Sequence, residues 1–184
     1  DAQAGIWYAQ CRDPENPIYK TGEYLLINGA IDVTKIKQAI TQGINEVDSL
    51  HSRYITTVQG PRMYIHRQPW QVSEQDFSGY AQPLQSAIEW MRQALRTPVD
   101  LEEGPLFSMA IVKLDTQQHA WFLSLHHIAI DGYSMSLIIS RVAYLYNQLV
   151  KSEAIETVQF VDQQALIKED NDYKASEKYQ KDKD

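Results

Sequence analysis

A chain of 184 residues with 43% hydrophobic and 22% charged residues has the composition of a single globular domain with a real core. Its formal net charge of −7 and its scattered lysines and arginines argue against nucleic acid as the main partner. No apolar run approaches the length of about 18 residues that a membrane span needs. The single Cys11 cannot form an internal disulfide, which fits a reducing cytoplasm. The chain opens without an initiator methionine, as if cut from a longer protein.

The first third of the chain predicts a strand, a helix and a hairpin. Residues 19–27 have strand character, and residues 31–47 have apolar residues at helical spacing, with Asp32 as the predicted N-cap. Residues 50–58 and 62–67 are two extended runs around a Gly-Pro break, which predicts a β-hairpin.

The middle of the chain predicts the central sheet. A short strand over residues 72–78 precedes a helix over 83–96, which Thr97-Pro98 ends. Residues 106–114 and 119–125 are two apolar runs joined by a polar turn, so we expect a hairpin that supplies the central strands.

The strongest predicted helix covers residues 133–149, whose apolar residues imply burial of a broad face. Ser134 is its predicted N-cap. Beyond it, residues 168–184 are mostly charged and predict an exposed helix. Any side chain in the turn between that strand and this packed helix is held in a fixed position by rigid backbone on both sides.

The segment between the strand over 119–125 and that helix contains His126, His127, Asp131 and Gly132. A neutral imidazole accepts protons near pH 7, and neighbouring side chains of a strand face opposite ways. We therefore expect one histidine to face a site and the other the supporting structure. Asp131 should fix the loop through hydrogen bonds or an ion pair, and Gly132 should permit a tight turn and leave an amide available to an oxyanion.

Other interpretations of these residues stay open. A histidine after an apolar strand is more often a structural residue than a catalyst, and Asp-Gly alone marks only a turn. A metal site built from His126, His127 and Asp131 is disfavoured, because adjacent strand residues diverge and no third ligand occurs at convincing spacing.

The segment from His126 to Gly132, HHIAIDG, resembles the H-H-x-x-x-D-G motif of the condensation domains of nonribosomal peptide synthetases, members of the chloramphenicol-acetyltransferase-like superfamily. Residues 2–7 resemble the family's A-Q-x-x-x-W opening. Residues 47–54 cover the second half of its R-H-E-x-L-R-T-x-F motif, with His51 in place of an arginine. Residues 160–165 resemble its Y-x-D-F-A motif.

Arg53 lies two residues after His51, on the same face of the predicted strand. If the family's arginine pairs with the motif aspartate, Arg53 either replaces it opposite Asp131 or the pair is absent. The alternative without a functional role is that Arg53 is a solvent-exposed charged residue on the strand.

The resemblance implies an α/β (α+β) fold, a chloramphenicol-acetyltransferase-like two-layer sandwich with a mixed sheet and packed helices. Residues 1–184 would form the N-terminal lobe of a condensation domain whose C-terminal lobe is absent. The implied reaction joins a carrier-bound donor acyl or peptidyl thioester to the amine of a carrier-bound aminoacyl thioester. His127 would be the active-site residue, as a base or as an orienting group, with His126 and Asp131 supporting the loop and the Gly132 amide as an oxyanion contact.

The resemblance also implies partners. These are donor and acceptor carrier proteins (peptidyl or aryl), the C-terminal lobe and an adenylation domain, in the cytoplasm. No metal or directly bound cofactor is implied, since the phosphopantetheine arms belong to the carriers. Two alternatives remain: a stand-alone acyltransferase that uses acyl-coenzyme A, and a non-catalytic lobe that docks carriers, which the departure at His51 keeps open. The lobe alone is expected to be inactive.

Overall fold

The computed structural model describes residues 2–58, 60–157, 168–169 and 172–173. Its helices are α1 Ala2–Arg12, α2 Val33–Asn45, α3 Pro83–Leu95 and α4 Gly132–Lys151. Its strands are β1 Lys20–Asn28, β2 Ser52–Thr57, β3 Gly60–Ile65, β4 Ser73–Asp76, β5 Phe107–Lys113 and β6 Gln118–His126. The predicted strands, helices and hairpins occur in the predicted order. The predicted motif at residues 160–165 and nearly all of the predicted helix over 168–184 lie outside the described residues.

The main sheet has four strands in the order β1-β6-β5-β4. β1 pairs with β6 and β6 with β5 in antiparallel fashion, whereas β4 runs parallel to β5, so the sheet is mixed as predicted. The β5–β6 hairpin lies at its centre, and the register sets Lys20 of β1 and His126 of β6 opposite each other. β2 and β3 form a separate antiparallel hairpin.

Helices cover both faces of the main sheet. Trp121, Leu123 and Leu125 of β6 belong to the larger core cluster, together with apolar residues of α2 and α4. Ala120 and Phe122 point the other way and pack with apolar residues of α3. The α/β class, the mixed sheet and the packed helices are confirmed, with one refinement: the sheet lies between two helical layers rather than beneath one. The nearly continuous apolar sequence of β6 reflects this burial on both faces.

A buried ion pair joins α2 to α4. Glu46 lies just beyond the end of α2. Arg141 donates from Nε to Glu46 Oε2 over 2.7 Å and from Nη2 to Glu46 Oε1 over 2.8 Å. Arg141 also donates to the carbonyl oxygen of Glu156 over 3.0 Å. The helices approach closely at Gly43, where an added Cβ would lie 2.7 Å from a methyl carbon of Val142.

Arg53 is not a solvated strand charge, and that expectation was wrong: the residue is only 1% exposed. Its Nε donates to the carbonyl oxygen of Glu103 over 2.9 Å and its Nη1 to that of Ser52 over 2.8 Å. The start of β2 is covered by the loop at Gly104, where an added Cβ would lie 2.2 Å from the guanidinium carbon. Within the described part of the chain, no ion pair joins Arg53 to Asp131, so it does not replace the family's arginine in such a pair.

None of the helices among the described residues has both the length and the apolarity that a bilayer crossing requires.

Candidate active site

The histidine pair lies where β6 ends. His126 is the last residue of the strand and is buried, whereas His127 begins the turn that follows and is exposed. Backbone hydrogen bonds fix both positions: the His126 amide donates to Leu106 O and the His127 amide to Tyr19 O, each over 2.8 Å. The expectation that the two side chains face different surroundings is confirmed.

The imidazole of His127 is held by one backbone contact. Its Nδ1 lies 3.2 Å from the carbonyl oxygen of Ile130. A carbonyl oxygen only accepts hydrogen bonds, so this contact assigns the proton of the neutral ring to Nδ1. The lone pair then resides on Nε2 of an exposed ring. A side chain in this state is able to accept a proton from a bound substrate or to orient the group that carries it.

His126 has the opposite tautomer and a structural task. Its Nδ1 accepts the amide hydrogen of Ile128 over 3.2 Å, and its Nε2 lies 3.4 Å from Oε1 of Gln10. Burial, reinforced by the charges of His127 and Lys20, lowers the pKa of His126 to about 4, so the ring is neutral at pH 7. Both ring nitrogens are engaged inside the protein. The metal site considered for His126, His127 and Asp131 therefore has no geometric support.

Three side chains that the sequence analysis did not assign to the site hold the histidine loop. Gln3 Nε2 donates to Ile128 O over 2.9 Å, and the Tyr54 hydroxyl donates to the same oxygen over 3.3 Å. Burial raises the pKa of Tyr54 to about 12, which keeps this donor protonated. Gln10 is the third. Gln3, Trp7 and Gln10 follow helical spacing on α1, and this pattern was the available signal.

Asp131 is the N-cap of α4. Its Oδ1 accepts the amide hydrogen of Ser134 over 2.8 Å, and this bond lowers the pKa of its carboxyl group. The predicted hydrogen-bonding role of Asp131 in the loop is confirmed. The prediction that Ser134 caps the helix was wrong, because α4 begins at Gly132 and Ser134, in its first turn, donates to the cap.

Gly132 is the first residue of α4 rather than part of a tight turn. Its φ is not positive, and a Cβ added at this position would meet nothing within 4 Å. The turn expected at Asp131-Gly132 lies instead at residues 127–129, where Ala129 N donates to His126 O over 3.0 Å. The Gly132 amide is one of the first-turn donors that a helix cannot satisfy internally.

The departure from the family pattern at His51 is accommodated in the core. The side chain is buried, its Nε2 lies 3.3 Å from Ile44 O, and its ring meets Phe107 edge to face. Burial lowers the pKa of His51, with the nearby charge of Arg67 as the second cause. None of these contacts involves the histidine loop.

We expect Asp131→Ala to lower the melting temperature, because the Ser134 amide loses its acceptor, whereas Asp131→Asn should retain most of the stability. Since hydrogen bonds lower the pKa of Asp131, the stabilisation from its carboxylate is complete above the ordinary carboxyl pKa. It is lost as the pH falls through the lowered value. Thermal unfolding of the three proteins from neutral to acidic pH checks this. Asp32→Ala, which removes the equivalent cap of α2, is the matched control. An Asp131→Asn protein as unstable as Asp131→Ala would contradict the cap as the cause.

Similarity to known proteins extends over the whole chain. The family model of the condensation domain matches residues 1–184. A dimodular nonribosomal peptide synthase of Bacillus subtilis (strain 168) is 41% identical over 183 residues, which cover 99% of this chain and 8% of that protein. An isonitrile lipopeptide synthase of Streptomyces coeruleorubidus is 31% identical over 185 residues, which cover 100% of this chain and 13% of that protein.

Solved structures resemble nearly the whole chain. The starter condensation domain of rhizomide synthetase RzmA aligns with a TM-score of 0.90 and 35% identity, covering 95% of this chain and 43% of that one. The first condensation domain of the CDA synthetase aligns with a TM-score of 0.87 and 30% identity, covering 99% of this chain and 47% of that one. The chain thus spans less than half of each of these solved domains and a small part of each synthetase. The chain belongs to the condensation-domain family.

Proposed function

We propose that this chain carries the catalytic histidine of a condensation domain that forms amide bonds in nonribosomal peptide synthesis. The observation that supports this best is the state of His127: an exposed imidazole at the end of a buried strand, with the Nδ1 proton directed to Ile130 O and the lone pair on Nε2. A fixed backbone and a preset tautomer are what a proton acceptor or an orienting group needs.

The proposed reaction joins two thioester-bound substrates. The amine nitrogen of the acceptor attacks the carbonyl carbon of the donor thioester, so a C–N bond forms and the C–S bond breaks. The proton lost by the amine passes to the departing thiolate, with Nε2 of His127 accepting it or holding the amine in line on the way. Both phosphopantetheine arms arrive with the carrier domains. Alignment of the two thioesters supplies much of the rate acceleration.

The other predicted site residues have supporting roles in this proposal. His126 shapes the turn from inside, and Asp131 fixes the start of α4. The amide of Gly132, at the positive end of that helix, is the proposed contact for the oxyanion that forms on the donor carbonyl. We further propose that the partners are donor and acceptor carrier domains, with the rest of the condensation domain and an adenylation domain in the same synthetase.

A second candidate differs only in the donor. The starter condensation domain of RzmA, 35% identical to this chain, has mutant forms solved in complex with C8-CoA. A donor bound to coenzyme A instead of a carrier would present the same thioester carbonyl to His127. The acceptor amine and the proton transfer would be unchanged.

The test is amide formation by the full-length domain with a loaded acceptor carrier and either an acyl carrier or an acyl-coenzyme A as the donor, with products resolved by mass spectrometry. Product from the carrier-bound donor supports the first proposal. Product only from acyl-coenzyme A favours the second. No product from either donor, while both carriers bind, would overturn both proposals in favour of a docking role.

A further inference from the structure

We propose that Gln10 of α1 is a positioning residue that sets the tautomer of His126 and thereby holds the loop that presents His127. This inference rests on the function proposed above for His127. Gln10 is 5% exposed, and none of the motifs discussed above includes it. It acts through hydrogen bonds, without contact to the reacting atoms.

The orientation of the Gln10 amide is fixed by its surroundings. Its Nε2 donates to the carbonyl oxygens of Pro14 over 2.9 Å and Asn16 over 3.1 Å, with a longer contact of 3.4 Å to Asp13 O. Carbonyl oxygens accept only, so a flipped amide would set oxygen against oxygen at all three. The Oε1 atom must therefore face His126.

This orientation dictates the tautomer of His126. An acceptor at Gln10 Oε1 requires a hydrogen on His126 Nε2, 3.4 Å away, and the neutral ring then has its lone pair on Nδ1. That lone pair accepts the amide hydrogen of Ile128 over 3.2 Å. The direction of each hydrogen bond is thus fixed, from the carbonyl groups of the turn after α1, through Gln10 and His126, to the amide of Ile128.

The carbonyl group of Ile128 is also held by a side chain of α1. Its carbonyl oxygen accepts from Gln3 Nε2 over 2.9 Å, and Gln3 lies about two helical turns before Gln10 on the same face of α1. Two residues later, Ile130 O accepts from Nδ1 of His127. Without the Gln10 contact, His126 is able to adopt its other tautomer, and the Ile128 amide then loses its acceptor. The turn is free to shift, which displaces the His127 imidazole.

The test uses the full-length condensation domain with its carriers and selective ¹⁵N-histidine labelling. In the wild type, we expect the ring nitrogen shifts of His126 to report a proton on Nε2. Gln10→Met keeps the size and burial of the side chain but lacks both hydrogen-bonding groups. It should shift this tautomer equilibrium and lower kcat by roughly tenfold to a hundredfold, with little change in KM for the carriers. Gln42→Met, which removes a glutamine of α2 that donates to Glu46, is the matched control.

A second variant separates positioning from simple packing. In Gln10→Glu, a carboxylate faces His126, whose pKa in the wild type is lowered first by burial and then by His127 and by Lys20 of β1. The carboxylate should raise that pKa, at a cost in stability, because its second oxygen replaces the amide donor that faces Pro14 O and Asn16 O. A protonated His126 carries hydrogens on both nitrogens and cannot accept from Ile128. We therefore expect the kcat of Gln10→Glu to fall on the acid side at a higher pH than that of the wild type and to recover as the pH rises.

A wild-type His126 with its proton on Nδ1 overturns the inference without any variant, even if a variant fails to fold. A folded Gln10→Met protein with unchanged kcat also overturns it, as does a pH-independent loss in Gln10→Glu. Because the tautomer is read by NMR, this failure is distinct from failure of the proposed function, which would appear as wild-type protein without condensation activity.

Discussion

Replacement of His127 by alanine is expected to lower the rate of amide formation by the full-length domain about 100-fold or more, with binding of both carriers unchanged. The side chain is exposed, and among the described residues its hydrogen bond is from Nδ1 to Ile130 O, so its loss should leave the fold intact. The expected defect is therefore in kcat. Single-turnover transfer between two loaded carriers measures it directly.

His66→Ala is the matched control, because His66 is an exposed histidine on the β2–β3 hairpin side of the molecule, where its ring lies near Tyr64. It should form product at the wild-type rate. His127→Ala protein that forms product as fast as the His66→Ala control would remove His127 from the mechanism and leave the histidine pair with a structural role.

The second large effect is on stability. Glu46→Ala should lower the free energy of unfolding by about 3 kcal/mol, because it leaves the Arg141 guanidinium without its carboxylate in a site where that side chain is 6% exposed. The Glu46 side chain is 21% exposed, which sets the expectation at the lower end of the range for broken buried pairs. Urea unfolding, followed by circular dichroism, measures this difference.

The exposed pair of Lys37 with Glu74 provides the comparison. Glu74→Ala should cost less than about 1 kcal/mol, since water screens a surface pair. The double replacement of Glu46 and Arg141 by methionine should recover part of the loss, because it removes both charges together. Equal costs for Glu46→Ala and Glu74→Ala would mean that burial adds nothing to the α2–α4 pair.

The elements that could be predicted were those with a local signature. The two apolar runs that became β5 and β6, and the broad apolar face of α4, have periodicities that local sequence determines. The histidine motif was visible for the same reason, since its residues are contiguous. The separation of His126 from His127 followed from the alternation of side chains at the end of a strand.

What could not be predicted depends on contacts between distant segments. A charged residue on a short strand favours a solvent-facing side chain, but the loop at Gly104 packs against the Arg53 guanidinium, which is buried. Asp131 and Ser134 are both favoured N-cap residue types, and the start of α4 at Gly132 decides between them. Gln3 and Gln10 lie more than 100 residues from the loop they hold, so no local pattern reveals their partners.

The position of α1 has a consequence for engineering. Helix Ala2–Arg12 supports the histidine loop through Gln3 and Gln10, although the two segments lie more than 100 residues apart in the sequence. Chimeric synthetases joined just after Arg12 would combine one parent's glutamines with the other parent's histidine loop. A junction upstream of Ala2 keeps both halves of this contact from one parent, so crossover points in domain exchange should be chosen there.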